Sequence, residues 1–106
     1  MADDQKAHGL WESMSDPQYR AESLSEINTG IAFQIRALRE KRGLTQTQLA
    51  ELMGGNTTQS TIFSLENPNY GKYTLATLKK LARVFDVGLI VRFAPVSELI
   101  DWLSNL

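Results

Sequence analysis

Three threonines, Thr45, Thr58 and Thr74, each stand directly before a short apolar stripe with helical spacing. Gly43, Gly54-Gly55 and Pro68 stand where the intervening stripes have to stop. A threonine hydroxyl satisfies amide groups that the first turn of a helix leaves unpaired. Glycine takes the left-handed conformation that ends a helix, and proline cannot continue one. This punctuation allows only short helices with tight links. Ile31, Ile35, Leu38 and Arg42 follow the i, i+4, i+7 rule, with Gln34, Arg36 and Lys41 turned away. Lys41 and Arg42 then occupy the last turn, where cations complement the helix dipole, and Gly43 is the expected left-handed cap. Thr45-x-x-Gln48 is a capping box opening a second helix that buries Leu49, Ala50 and Met53. A third helix, capped by Thr58 and running to about Asn67, turns Ile62, Leu65 and Glu66 inward and Ser60, Phe63, Ser64 and Asn67 outward. The fourth, capped by Thr74, places Leu75, Leu78, Leu81, Ala82 and Phe85 on one side and Lys79, Lys80 and Arg83 on the other. Together they predict a compact all-α unit of about 55 residues.

The flanks read differently. Residues 1–15 are polar with isolated Leu10, Trp11 and Met14, as in a loosely held arm, and the lone histidine, His8, reads as inert there. Asp16-Pro17 is an N-cap followed by proline at the first helical position, and the helix it opens is expected to break at Asn28-Thr29-Gly30. At the other end Gly88–Phe93 is β-branched and aromatic and is closed by Pro95. It predicts a strand, after which Ser97 caps a short helix carrying Leu99, Ile100, Trp102 and Leu103. No second strand of comparable quality exists in the chain, and a lone strand leaves its amide and carbonyl groups unpaired. A second copy meets that need through an antiparallel pair about a two-fold axis near Val91, with Leu89, Ile90, Val91, Arg92, Phe93 and Trp102 at the contact. The plainer alternative is an extended segment lying on its own domain. The expected organisation is an acidic arm with a helix over 1–28, a helical domain over 29–86 and a dimerisation tail over 87–106.

With 106 residues, the chain has room for one domain with arms. No apolar run exceeds three residues, Leu89-Ile90-Val91 among them, far short of the ~18 needed to span a membrane. Cysteine is absent, which removes thiolate chemistry and fits a reducing compartment. The acidic N-terminus reads as lacking a leader, so the expected location is cytoplasmic. No nucleophile elbow, Gly-rich loop followed by lysine or metal-ligand cluster is present, so neither an enzyme nor a cofactor or metal protein is expected. Glu98 and Asp101 read as a solvated helix face rather than an acid/base pair. The net charge of −1 conceals an asymmetry. Residues 1–30 carry two cations against six carboxylates, residues 31–85 eight against three, and residues 86–106 one against three. A basic middle lies between acidic ends.

The run Ile31-Ala-Phe-Gln-Ile-Arg-Ala-Leu-Arg39-Glu-Lys-Arg-Gly43-Leu-Thr45-Gln46-x-x-Leu49-Ala50 resembles the opening of a phage-repressor-type helix-turn-helix domain, the lambdoid repressor, Cro or XRE class. Gln59-Ser-Thr-Ile-Phe-Ser-Leu-Glu-Asn67 is similar to its recognition helix and Thr74-Leu75-x-x-Leu78-x-x-Leu81-Ala82 to its fourth helix. The resemblance covers about half the chain and omits both arm and tail. It implies a lambda-repressor-like bundle of four to five helices, mainly α, here followed by the strand and short helix of the tail. It also implies that Gln46 meets a DNA phosphate and that Gln59 contacts a base edge, where an amide can bond bidentately to adenine N6 and N7. Ser60 and Ser64 would enter the major groove with Thr61 at its border and Thr58 at the head of the helix; Asn67 and Lys72 fit phosphate contacts. Phe63 stands where a small polar residue is more usual. Its ring either touches a thymine methyl or packs against protein, and packing is the favoured reading. In the class, the residues matching Arg39 and Glu66 pair inside the domain, which makes them scaffold rather than site. Gln46 and Gln59 are 13 positions apart, longer than the class usually has, with the extra residues in Gly54-Gly55-Asn56-Thr57.

The expectation is a dimeric, sequence-specific repressor on a palindromic operator in double-stranded DNA. Small proteins of this class also serve as antitoxins, so a second expectation is a toxin protein bound through residues 1–30, with the helix-turn-helix autoregulating the operon.

Overall fold

The computed structural model describes residues 16–104. Five helices follow one another: α1 (Pro17–Lys41), α2 (Gln46–Met53), α3 (Gln59–Leu65), α4 (Leu75–Phe85) and α5 (Val96–Ser104). The chain divides into two units, residues 25–90 and residues 1–24 with 91–106. The expectations for Leu10, Trp11, Met14 and His8 fall outside the described residues.

In the first unit the core is built from Ile35 on α1, Leu49 and Ala50 on α2, Ile62 and Leu65 on α3, and Leu81 and Phe85 on α4. Ile31, Leu38, Leu44, Met53, Tyr70, Tyr73, Leu78 and Val84 pack around them. Each stripe read from spacing therefore contributes to one hydrophobic cluster, as helices buried on a single face require. Ala32 is also buried. Leu75 is exposed instead of lying on the inner side of α4.

The caps are made by the threonines. Thr45 accepts from the Gln48 amide (3.1 Å) while Gln48 Oε1 accepts from the Thr45 amide (2.9 Å). Thr58 and Thr61 exchange the same pair of bonds at the head of α3, and Thr74 accepts from the Thr77 amide (3.2 Å). Helix ends are tied down by side chains from elsewhere. The Arg42 guanidinium donates to the Phe85 carbonyl and so closes the last turn of α4 from the end of α1. The Tyr73 hydroxyl donates to the Leu65 carbonyl (2.6 Å) at the end of α3, and Tyr70 meets the Tyr73 ring edge-on at 5.3 Å. Burial raises the Tyr73 pKa, with the neighbouring Tyr70 adding to it, which keeps that hydroxyl a donor.

Three expectations are corrected. Helix α1 runs unbroken through Asn28-Thr29-Gly30. A glycine inside a helix costs about 1 kcal/mol relative to alanine, and packing outweighs it here. Ala32 is buried one turn on, and Asn28 lies against Gly71, where an added Cβ would come within 3.3 Å of Asn28 Nδ2. The expected tail strand is absent: residues 87–95 carry no ladder and no strand occurs among the described residues. A ladder needs a second strand, and none is found among the described residues. Ser97 does not cap the last helix, which begins at Val96, with the Pro95 carbonyl accepting from the Glu98 and Leu99 amides.

In the second unit Asp16 accepts from the Gln18 amide (2.9 Å) ahead of Pro17, the N-cap arrangement expected at the start of α1. Arg92 pairs with Glu98. That hydrogen bond, more than charge alone, raises the arginine pKa and lowers the carboxylate's.

Helix α4 ends on Asp86, a non-glycine residue in the left-handed conformation (φ 55°, ψ 50°). An L-residue there is strained by about 1–2 kcal/mol, least for Asp and Asn, and its charge opposes the helix dipole. Asp86→Gly should therefore raise the melting temperature, and Asp86→Val should lower it by several degrees. Calorimetry of the two variants, with the reverse order as the contrary outcome, checks this.

Candidate nucleic-acid interface

Helices α2 and α3 are joined by a turn in which Gly54 and Gly55 both have positive φ (73° and 62°). A Cβ at either would meet no atom within 4 Å, so conformation rather than space demands glycine. Gly54 donates to the Ala50 and Glu51 carbonyls and Thr57 returns a bond to Gly54. The longer turn is thereby folded back on the end of α2, and α3 lies against α2 with Ile62 and Leu65 in the core.

The outward face of α3 carries Gln59, Ser60 and Phe63 exposed, with Ser64 half-buried and Asn67 exposed just beyond the helix. Phe63 does not pack into the protein: it is 61% exposed, which corrects the favoured expectation. The core space on that side is already filled by Ile62 and Leu65, and a residue one position along the helix points about 100° away.

A chain of hydrogen bonds runs from this face into the scaffold. Gln59 Nε2 donates to Gln46 Oε1 (2.6 Å), and Gln46 Nε2 donates to Glu66 Oε1 (3.4 Å). Glu66 in turn receives two bonds from one guanidinium, Arg39 Nε to Oε2 (2.6 Å) and Arg39 Nη2 to Oε1 (2.9 Å). Arg39 Nη1 completes the series on the Leu44 carbonyl (2.9 Å). The side chains of Arg39 and Glu66 are 13% and 6% exposed. Their hydrogen bond outweighs desolvation and raises the Arg39 pKa. The orientation of the series follows from chemistry. An ionised carboxylate only accepts, so Gln46 must turn its NH2 toward Glu66 and its oxygen toward Gln59. Gln59 must then present an N–H to Gln46, which leaves its second N–H and its carbonyl oxygen facing outward.

Among the residues assigned from sequence, Gln46, Gln59 and Asn67 come together. Gln46 and Asn67 share a shallow open concavity with Arg36, Arg39, Phe63, Glu66 and Pro68. Thr58 and Thr61 are occupied with each other, their hydroxyls 3.2 Å apart within the cap. Asn67 Oδ1 accepts from the Asn69 amide (2.9 Å), leaving its NH2 for a ligand. Lys72 and Ser60 are exposed. In the tail Leu89, Ile90, Val91, Arg92 and Phe93 are all exposed, Ile90 at 87%; the Trp102 side chain lies outside the described residues. Sequence reasoning passed over Arg36, read as merely turned away. It sits at the rim of the concavity, held by Glu40 (2.9 Å), whose pKa that bond lowers. The i, i+4 spacing of Arg36 and Glu40 was the available signal.

Residues 35–91, more than half the chain, match the Helix-turn-helix family HTH_3. The chain is also similar to a protein of Acinetobacter baylyi named Competence pilus inhibition repressor, with 44% identity over 72 residues. The matched stretch is 68% of this chain and 62% of that protein, so the chain spans under two thirds of this relative's length. No solved structure gives a significant match.

Removing one partner of a buried ion pair leaves an uncompensated charge, at a cost of about 3–5 kcal/mol, whereas replacing both with apolar residues is far milder. Arg39→Ala and Glu66→Ala should each melt much lower than the native chain, and Arg39→Met/Glu66→Leu should melt above either. A double variant as unstable as the singles would remove the ion pair from its place in the scaffold.

Proposed function

The chain belongs to the XRE-type helix-turn-helix family, and from that membership we propose that it is a sequence-specific DNA-binding transcriptional repressor acting as a homodimer. The observation that carries the reading is the hydrogen-bond chain ending at Gln59. Its outward N–H and carbonyl oxygen match adenine N7 and N6 in the major groove, the bidentate pattern by which an amide selects adenine. Because Gln46 and Glu66 orient that amide before DNA arrives, little rotamer freedom is lost on binding. Gln46 at the head of α2, Asn67 and Lys72 serve as phosphate contacts that set the register of α3 in the groove. Ser60 and Ser64 face the bases as hydroxyls able both to donate and to accept. Thr58 and Thr61 act indirectly, by holding the first turn of α3. The repressor role follows the name of the Acinetobacter relative.

Dimerisation is proposed through residues 87–93, where Leu89, Ile90, Val91 and Phe93 are exposed and no ladder forms among the described residues. Pairing with the same stretch of a second copy satisfies the backbone and covers the apolar side chains together. Two α3 helices then read half-sites about one helical turn, 34 Å, apart.

Selection of bound sequences from a randomised duplex pool tests the reading. The expected product is a palindrome with half-sites centred about 10 bp apart; a pool without enrichment even at low salt would overturn it. On the selected duplex, Gln59→Ala should lose about 10-fold or more in affinity with little change on random duplex, while Lys72→Ala should weaken both alike and flatten the salt dependence. Equal losses for the two variants would remove these roles. Val91→Pro, which deletes an amide donor, should give monomers in light scattering; an unchanged mass would place the dimer contact elsewhere.

A further inference from the structure

Among the large apolar side chains that the core leaves exposed, Phe63 is the one on the outward face of α3. Its neighbours in α3, Ile62 and Leu65, are fully buried, yet Phe63 is 61% exposed among the polar groups of Arg36, Gln46 and Asn67. It stands four residues after Gln59, about 40° around the helix, on the same outward face. Four residues also advance about 6 Å along the helix axis, the span of one to two base-pair steps.

We infer that Phe63 is a specificity-determining residue that packs on the C5-methyl group of a thymine one or two base pairs from the adenine bound by Gln59. This rests on the DNA-reading function proposed above. A phenyl ring has no hydrogen-bonding group, so it cannot distinguish bases by donors and acceptors. The thymine methyl is the apolar feature that the unmodified major groove offers, and an aromatic ring is one of the side chains that contact it. Covering the ring against that methyl removes both apolar surfaces from water at once. The polar hydroxyls of Ser60 and Ser64 on either side carry little discrimination of their own, so the ring adds a preference the rest of the face lacks.

Deoxyuridine tests this directly, because it removes the methyl and leaves every hydrogen-bonding group in place. In the duplex selected by the native chain, each thymine is replaced in turn. One position per half-site should weaken native binding by about 3–10-fold. Phe63→Ala should bind the thymine duplex more weakly, be indifferent to deoxyuridine at that position, and still discriminate at the adenine assigned to Gln59. Phe63→Leu, which keeps an apolar contact, should retain part of the thymine preference. Because Phe63 lies outside the core, melting temperatures of both variants should match the native chain. If no deoxyuridine position weakens native binding, or if Phe63→Ala shows the same loss, the inference fails while DNA reading stands. If no duplex is selected at all, the proposed function fails and the inference with it.

Discussion

The ion pair between Arg39 and Glu66 joins parts of the chain that no local signal connects. It ties the last turn of α1 to the end of α3, and through Arg39 Nη1 it also holds Leu44, the link into α2. Nearly withdrawn from water, the pair is strong only because each partner's remaining groups are satisfied. Glu66 spends its extra acceptor capacity on Gln46, and Gln46 passes the orientation to Gln59. A scaffold interaction therefore decides which way the amide on the outer face points. Stability and reading are coupled at this position: the charge that holds three helices together also sets the direction of a donor three bonds away.

Around this pair the domain is economical. Helices α2, α3 and α4 are short, and helices of two or three turns are marginal in isolation, so each needs both a cap and a buried face. Threonines supply the caps at α2, α3 and α4, while Arg42 and Tyr73 reach across to close the ends of α4 and α3. With no spare turns, α3 can expose Gln59 and Phe63 only because Ile62 and Leu65 anchor it from beneath. The two left-handed glycines between α2 and α3 let a lengthened turn coexist with that anchoring.

Local signals misled at several points. At Gly30 a local breaker signal met tertiary packing at Ala32 and Asn28, and the packing prevailed. At residues 87–93 β propensity was real, but a ladder needs a second strand, and propensity says nothing about where one comes from. At Phe63 apolarity favoured packing while the helical spacing already pointed the residue outward, and the spacing prevailed. Asp86 gave no warning that it would adopt a left-handed cap, because that conformation is one glycine usually takes. The amide chain from Gln59 to Glu66 was also illegible, since it links residues 13 and 20 positions apart.

What the sequence determined by itself was the succession of helices from α2 to α4, the face each buries, and the family, because caps, stop signals and apolar spacing act within one or two turns. Tertiary structure decided the continuity of α1, the missing ladder at residues 87–93 among the described residues and the orientation of Gln59. Each of these depends on groups brought together from distant parts of the chain, or on whether any such group exists, and neither is written in local spacing.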